Sequence, residues 1–196
     1  MNKGIASLVL VLAGLFFSFS QPLAYAAEKG TPRDYRAEMA GGVWHASPML
    51  GSGWAERLAL FDNDTFIYAA SQMDGETRLR FVSGEWAISA NGQLTLHCRE
   101  ALQWQGGKVV PATGSTGSKT ELVNPVMVRA KYSPVLTLRI PLGAYVHDDN
   151  YPRPWKLFLP DSGALWKGEG WWWKYQSQMD EDDLRDAYKD AKAEAK

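Results

Sequence analysis

The chain has 196 residues, 45% of them hydrophobic and 22% charged, with 21 basic against 22 acidic side chains. That length suits one domain behind a leader, and a net charge near zero gives no electrostatic case for nucleic acid or an anionic membrane. Cys98 is the single cysteine, which excludes an internal disulfide, so the core must hold the fold by itself.

Residues 1–26 read as a cleavable secretory signal. Lys3 supplies the positive start, Ile5 to Phe19 form an uncharged apolar run, and Ala24-Tyr25-Ala26 is a small-x-small cleavage site. The run is short of the ~20 residues that cross a bilayer core. Leu12-Ala13-Gly14 is followed by Leu15, with no cysteine to take a lipid. The expected product is secreted or periplasmic, cut near Ala26, with no membrane anchor.

Residues 27–41 form a charged arm, with room for a turn or two of helix. From Gly42 the hydrophobic period becomes two, as in half-buried strands. Val43 to Ala46, Trp54 to Phe61 and Thr65 to Ala70 are the first three strands, the last two joined by Asp62-Asn63-Asp64. After Asp74-Gly75, Thr77 to Phe81 alternates, with Leu79 and Phe81 on one face and Arg78 and Arg80 on the other. Ser83-Gly84 reads as a bulge or bend, and Trp86 and Ile88 resume the apolar face. Asn91-Gly92 is a strong hairpin signal feeding Leu94, Leu96 and Cys98.

Gly106-Gly107 and Gly114 to Ser118 mark loops, and Pro125 breaks a short strand over Leu122 to Ala130. Val135 to Ile140 is a strand. Residues 141–154 form a polar, proline-bearing loop, and Trp155 to Leu159 with Ala164 to Lys167 form a closing hairpin. Ser177-x-x-Asp180 starts a helix with acids in its first turn and lysines at its end. Its apolar stripe of Leu184, Ala187, Tyr188, Ala191 and Ala195 is thin, so loose docking or extension into solvent is expected. Eight or more short strands, each with one apolar and one polar face, predict a sandwich or, better, a single sheet closed into a barrel.

Gly42-Val43-Trp44, Glu56-Arg57, Asp64-Thr65-Phe66, the run Ser71 to Arg78, Gly84-Glu85-Trp86 and Asn91 to Leu96 occur in the order seen in bacterial lipocalin-like domains of the calycin type. The stretch from Gly42 to about Leu96 resembles that family. The resemblance implies an all-β, up-and-down antiparallel barrel of about eight strands over residues 42–175, followed by a short C-terminal α-helix over 176–196. It also implies that Trp44 plugs the closed end under an arginine of the last strand. Arg139 is the nearest arginine by strand type, while the apparent last strand carries Lys167.

Two readings of function stand open. In the first, the barrel holds a small apolar or amphipathic molecule, lined by Trp44, Tyr68, Phe81 and Trp86, with Glu56, Arg57, Arg78 and Arg80 either polar groups inside the cavity that orient a carboxylate or a solvated outer face. In the second, the chain is an interaction or inhibitor module that binds a partner at Trp171, Trp172 and Trp173, the densest part of a set of nine tryptophans, a run that packing at the barrel end also explains. Strand alternation makes the middle residue, Trp172, the exposed one.

An uncharacterised enzyme of the same shape is a third reading without named residues. His45, His97 and His147 lack metal-ligand spacing, Gly51-Ser52-Gly53 is not a nucleophile elbow, and the acidic runs at 62–64 and 147–150 are better explained as polar turns than as calcium loops. No catalytic residue, metal or cofactor is indicated, and Cys98 reads as a small buried apolar residue.

Overall fold

The computed structural model describes residues 33–48, 55–71, 76–113, 119–147, 155–175 and 178–196. The signal sequence, Trp54, the Asp74-Gly75 turn, the Gly114–Ser118 loop and Ser177 lie outside the described residues. A short helix α1 (Tyr35–Met39) precedes strands β1 (Val43–His45), β2 (Arg57–Leu60), β3 (Thr65–Ala69), β4 (Leu79–Ile88), β5 (Gln93–Pro111), β6 (Thr120–Pro141), β7 (Tyr145–His147), β8 (Trp155–Leu159) and β9 (Gly170–Tyr175). Helix α2 (Gln178–Glu194) follows. Asp34 caps α1 by accepting from the Ala37 amide.

The strands form one antiparallel sheet in the order β6-β5-β4-β3-β2-β1-β9-β8-β7. All are chain neighbours except at one place, where β1 pairs with β9. The expected all-β class and C-terminal helix are therefore present, with nine strands rather than eight. The expected closure is not: β6 and β7 end the sheet and share no ladder. The reason lies in how β6 is used. It runs 22 residues against the equally extended β5 and carries that hairpin beyond the sheet. β7 has only three residues. Between β6 and β7 the chain passes under the sheet's end, with Leu142 N–H bonded to Gly92 O of the β4–β5 turn and Gly143 N–H to Phe158 O of β8.

Side chains from one face of β1 to β6, β8 and β9 share a single core, so the sheet curls around it. Trp44, Leu58, Leu60, Phe66, Tyr68, Val82, Trp86, Leu94, Leu96, Ile140, Leu157 and Trp172 all belong to it. One end of this core is filled by large side chains. Trp44 is buried under α1 and donates its indole N–H to Met39 O at 3.2 Å. Trp86 donates to Phe61 O at 2.9 Å. Lys174, directly across from Trp44 on β9, sets its ammonium 5.6 Å from the indole centroid and donates to the carbonyls of Glu38 and Ala40. A lysine thus occupies the place sought for an arginine, and it comes from β9. Ala164 to Lys167, expected to be the closing strand, belong to the preceding loop.

The other face of β1 to β6 is also buried. Val43, Ala59, Phe61, Ile67, Ala69, Phe81, Leu102 and Met127 pack with Leu184, which is fully buried on α2. The helix therefore covers the sheet rather than extending into solvent. Its stripe is thin, but alanines let the helix lie close, and both ends are tied. Glu181 accepts from the Gly42 amide, while Lys196 N–H bonds to Met127 O and accepts from Arg129 N–H. This cover explains why β2 and β3 lack a polar face.

Bulges correct the phase read from sequence. A register shift between Leu79 and Phe81 leaves Leu79 against the inner core and Phe81 under α2, instead of sharing a face. The expected bulge at Ser83-Gly84 is present, and a Cβ at Gly84 would lie 2.0 Å from His97 O. Gly106 and Gly107 are not a loop. They kink β5 with φ of 66° and 70°, opposite Asn124 and Pro125 of β6.

Leu184→Ala is expected to lower stability by about 2–5 kcal/mol, since it empties a buried site between helix and sheet. Lys174→Ala is expected to cost about 1–3 kcal/mol by removing the donor to the partly buried carbonyls of Glu38 and Ala40. Urea unfolding followed by tryptophan fluorescence measures both, and a loss under 0.5 kcal/mol in either contradicts the packing described.

Candidate functional site

The inner core is graded along its axis. Opposite the tryptophan-filled end the inward residues are small or only partly covered: Ala46, Ala70 and Ala101, with Leu79, Tyr132 and Leu136. Ala46 N–H bonds to Glu56 O, and continuation of the β2–β3 register sets Ala70 beside Glu56. Two polar groups enter this end. Tyr68 OH donates to Leu165 O at 2.8 Å and stands 3.4 Å from a Glu56 carboxylate oxygen.

The loop from Pro160 to Glu169 frames the same end. Ser162 Oγ accepts from the amides of Leu165 and Trp166, each at 2.8 Å, and Asp161 accepts from those of Gly163 and Gly168. This brings Trp166 to 5.9 Å from the Tyr68 ring and 5.1 Å from that of Trp172.

Burial raises the Glu56 carboxyl above its usual range, with the Tyr68 hydroxyl working in the opposite direction. Burial, then the neighbouring Glu56, pushes the Tyr68 phenol far up, so it stays a hydrogen-bond donor at neutral pH. Cys98 is buried in the same core, and its thiol is pushed up to about 11 by burial, leaving it protonated and a poor nucleophile. A protonated phenol, a desolvated carboxyl and an apolar wall can orient a bound molecule. No nucleophile is set beside a base there, and among the described residues no three His, Cys, Asp or Glu side chains gather as metal ligands.

The ligand-lining residues proposed from sequence divide between the two faces. Trp44, Tyr68 and Trp86 belong to the inner core. Arg57, Arg80 and Phe81 line a groove beside α2 on the outer face, and Arg78 bonds to Gly106 O. Of the tryptophan run, Trp172 is buried in the inner core, while Trp171 and Trp173 are half-buried on the opposite face. The alternation holds and its sense is inverted, because the inner side was assigned to the wrong parity. Glu56, read from sequence with these arginines as either a cavity group or part of a solvated outer face, lies beside Tyr68 of the inner core, in phase with Leu58 and Leu60.

A larger groove, about 440 Å³, follows the other flank of α2. Beneath it lies Glu100, buried and held by Arg129, by Tyr188 OH at 2.7 Å and by Lys192 at 2.9 Å. Tyr188 OH also meets Ser83 Oγ at 2.7 Å.

Compared with known proteins, the chain matches no family model, no curated protein and no solved structure.

Burial works to raise the Glu100 carboxyl, and the hydrogen bonds from Tyr188, Lys192 and Arg129 together outweigh it, leaving the group below its usual range. A carboxylate depressed in the fold contributes stability above its unfolded pKa and loses it as pH falls through the folded value. The urea midpoint is therefore expected to fall between neutral pH and about pH 3, and by less in Glu100→Gln than in the native chain. Equal falls in the two proteins contradict the assignment.

Proposed function

We propose that this chain is an exported, lipocalin-like binding protein that holds a small, neutral, apolar or amphipathic molecule at the open end of its curled sheet and does no chemistry on it. The supporting observation is the graded interior: bulky, hydrogen-bond-satisfied side chains at one end, and alanines around a phenol and a carboxyl at the other. The lipocalin-like reading draws further support from the neighbour-to-neighbour strand order, from the pairing of β1 with β9, and from a first-strand tryptophan under a last-strand cation. The export reading rests on residues 1–26.

A carboxyl at the site disfavours an anionic ligand, and the Tyr68 donor favours one with a hydroxyl, ether or carbonyl. The fluorescent amine N-phenyl-1-naphthylamine is neutral and suits this end. It is expected to bind with about micromolar affinity, about −8 kcal/mol. Ala46→Trp, at the partly exposed rim, is expected to weaken it at least about tenfold by filling the entrance. No binding by the native chain, or equal binding by the variant, ends the proposal.

A further inference from the structure

The loop between β8 and β9, residues 160–169, is tied mainly to itself. Asp161 closes its neck: one carboxylate oxygen accepts from the Gly163 amide and the other from the Gly168 amide, each at 2.6 Å. Ser162 Oγ accepts from the Leu165 and Trp166 amides and donates to Trp166 O at 2.9 Å. The Trp166 indole N–H donates to Pro160 O, also at 2.9 Å. Gly168, where the loop turns back toward β9, has φ of 79°, a conformation that favours glycine.

The loop makes far fewer polar ties to the sheet. Among the described residues its one hydrogen bond to the rest of the chain runs from Tyr68 OH to Leu165 O, at 2.8 Å. Apolar contact does the rest. Leu165 and Trp166 are buried in the inner core, and the Trp166 ring lies against those of Tyr68 and Trp172. A large side chain thus enters the core from a loop rather than from a strand, at the end where the inward strand residues include three alanines.

Hydrogen bonds inside the loop travel with it, and only those to the wall must break when it lifts. Lifting therefore costs one hydrogen bond and the burial of two side chains. The move does not orphan the phenol. Tyr68 has one proton to donate, and the Glu56 carboxylate oxygen at 3.4 Å is a second acceptor. Leu165 O passes to water.

We propose that residues 160–169 are a hinged plug, latched by Tyr68, that swings out as one piece and withdraws Trp166 from the interior to admit a ligand. The Tyr68 hydroxyl serves both states, donating to Leu165 O when the plug is seated and to an oxygen of the ligand when it is out. This rests on interior binding as proposed and supplies its gate: the ligand takes the space that the indole leaves.

The chain labelled with 5-fluorotryptophan tests the plug without any ligand, the Trp166 resonance being assigned by its loss in Trp166→Phe. In the native chain a soluble gadolinium chelate is expected to broaden the Trp166 fluorine resonance no more than that of Trp44. Tyr68→Phe removes the latch, and broadening at Trp166 is expected to rise about threefold or more, with Trp44 and Trp86 unchanged. Ser162→Ala dismantles the loop's framework without touching the wall, and it is expected to expose Trp166 likewise. Trp166 as shielded in both variants as in the native chain overturns the proposal. So does broadening of all three resonances together, which reports general loosening. Stopped-flow mixing with N-phenyl-1-naphthylamine tests the gating. The observed rate in the native chain is expected to level off as dye concentration rises, because opening limits entry, and the plateau to rise about threefold or more in Tyr68→Phe. Rates that climb linearly and alike in the two proteins overturn the gate and leave interior binding standing. Release of Trp166 in both variants, with no dye taken up by the native chain, overturns interior binding and supports the hinged movement.

Discussion

The contact between Trp44 and Lys174 is the constraint on which the rest of the molecule depends. It lies at the one place where strands distant in sequence pair, since β1 meets β9 there while the other strands pair with chain neighbours. Burying an ammonium is unfavourable unless its donors are used. Here two carbonyls at the C-terminal end of α1 accept from it, and the indole face lies beneath it. One side chain thereby joins α1, β1 and β9, and the same arrangement fills that end of the core. The opposite end carries the small inward residues Ala46, Ala70 and Ala101, together with Tyr68, Trp166 and Trp172.

A sheet with one face in a core and the other covered by a helix needs two apolar faces on its central strands. That is what β2 and β3 have, with Leu58 and Leu60 inward and Ala59 outward, Phe66 and Tyr68 inward and Ile67 and Ala69 outward. Strands β4 and β5 reach the same end by bulges, which let Phe81 and Leu102 face α2 while Val82 and Ala101 face the core. The helix stripe is narrow because the sheet supplies most of the apolar surface. Alanines at 187, 191 and 195 let the helix lie close, and Tyr188 reaches down to Ser83 and Glu100.

The strands and the short turns were legible because they are local. Period-two alternation marked β2 to β5, and Asn91-Gly92 marked the β4–β5 turn, where Gly92 has φ of 76°. What was not legible depends on contacts remote in sequence. Whether Trp172 or its neighbours face inward is set by pairing with β1 and β8, and alternation alone gives either answer. Gly106-Gly107 and Pro125 carry the signs of loops, yet they face each other across one long hairpin and share a kink. The thin stripe on α2 indicated weak docking, since the apolar outer face it meets is assembled from six strands. At the interior site, Glu56 is in phase with the inward Leu58 and Leu60, but which face of the strand is inward depends on pairing with distant strands, so alternation alone left it open between cavity and outer face.

The two faces of the sheet differ in charge although β2 contributes to both. Glu56, just ahead of the strand, is in phase with the inward leucines, and Arg57, the next residue, lies outward. In a pleated strand a single step crosses the sheet, so adjacent residues set opposite electrostatics on its two faces. A neutral molecule at the proposed interior site avoids repulsion from the inner carboxyl. The curled sheet between carboxyl and guanidinium keeps the charges apart, because Leu58 and Ala59, fully buried on either side of it, exclude the water that would screen one face from the other.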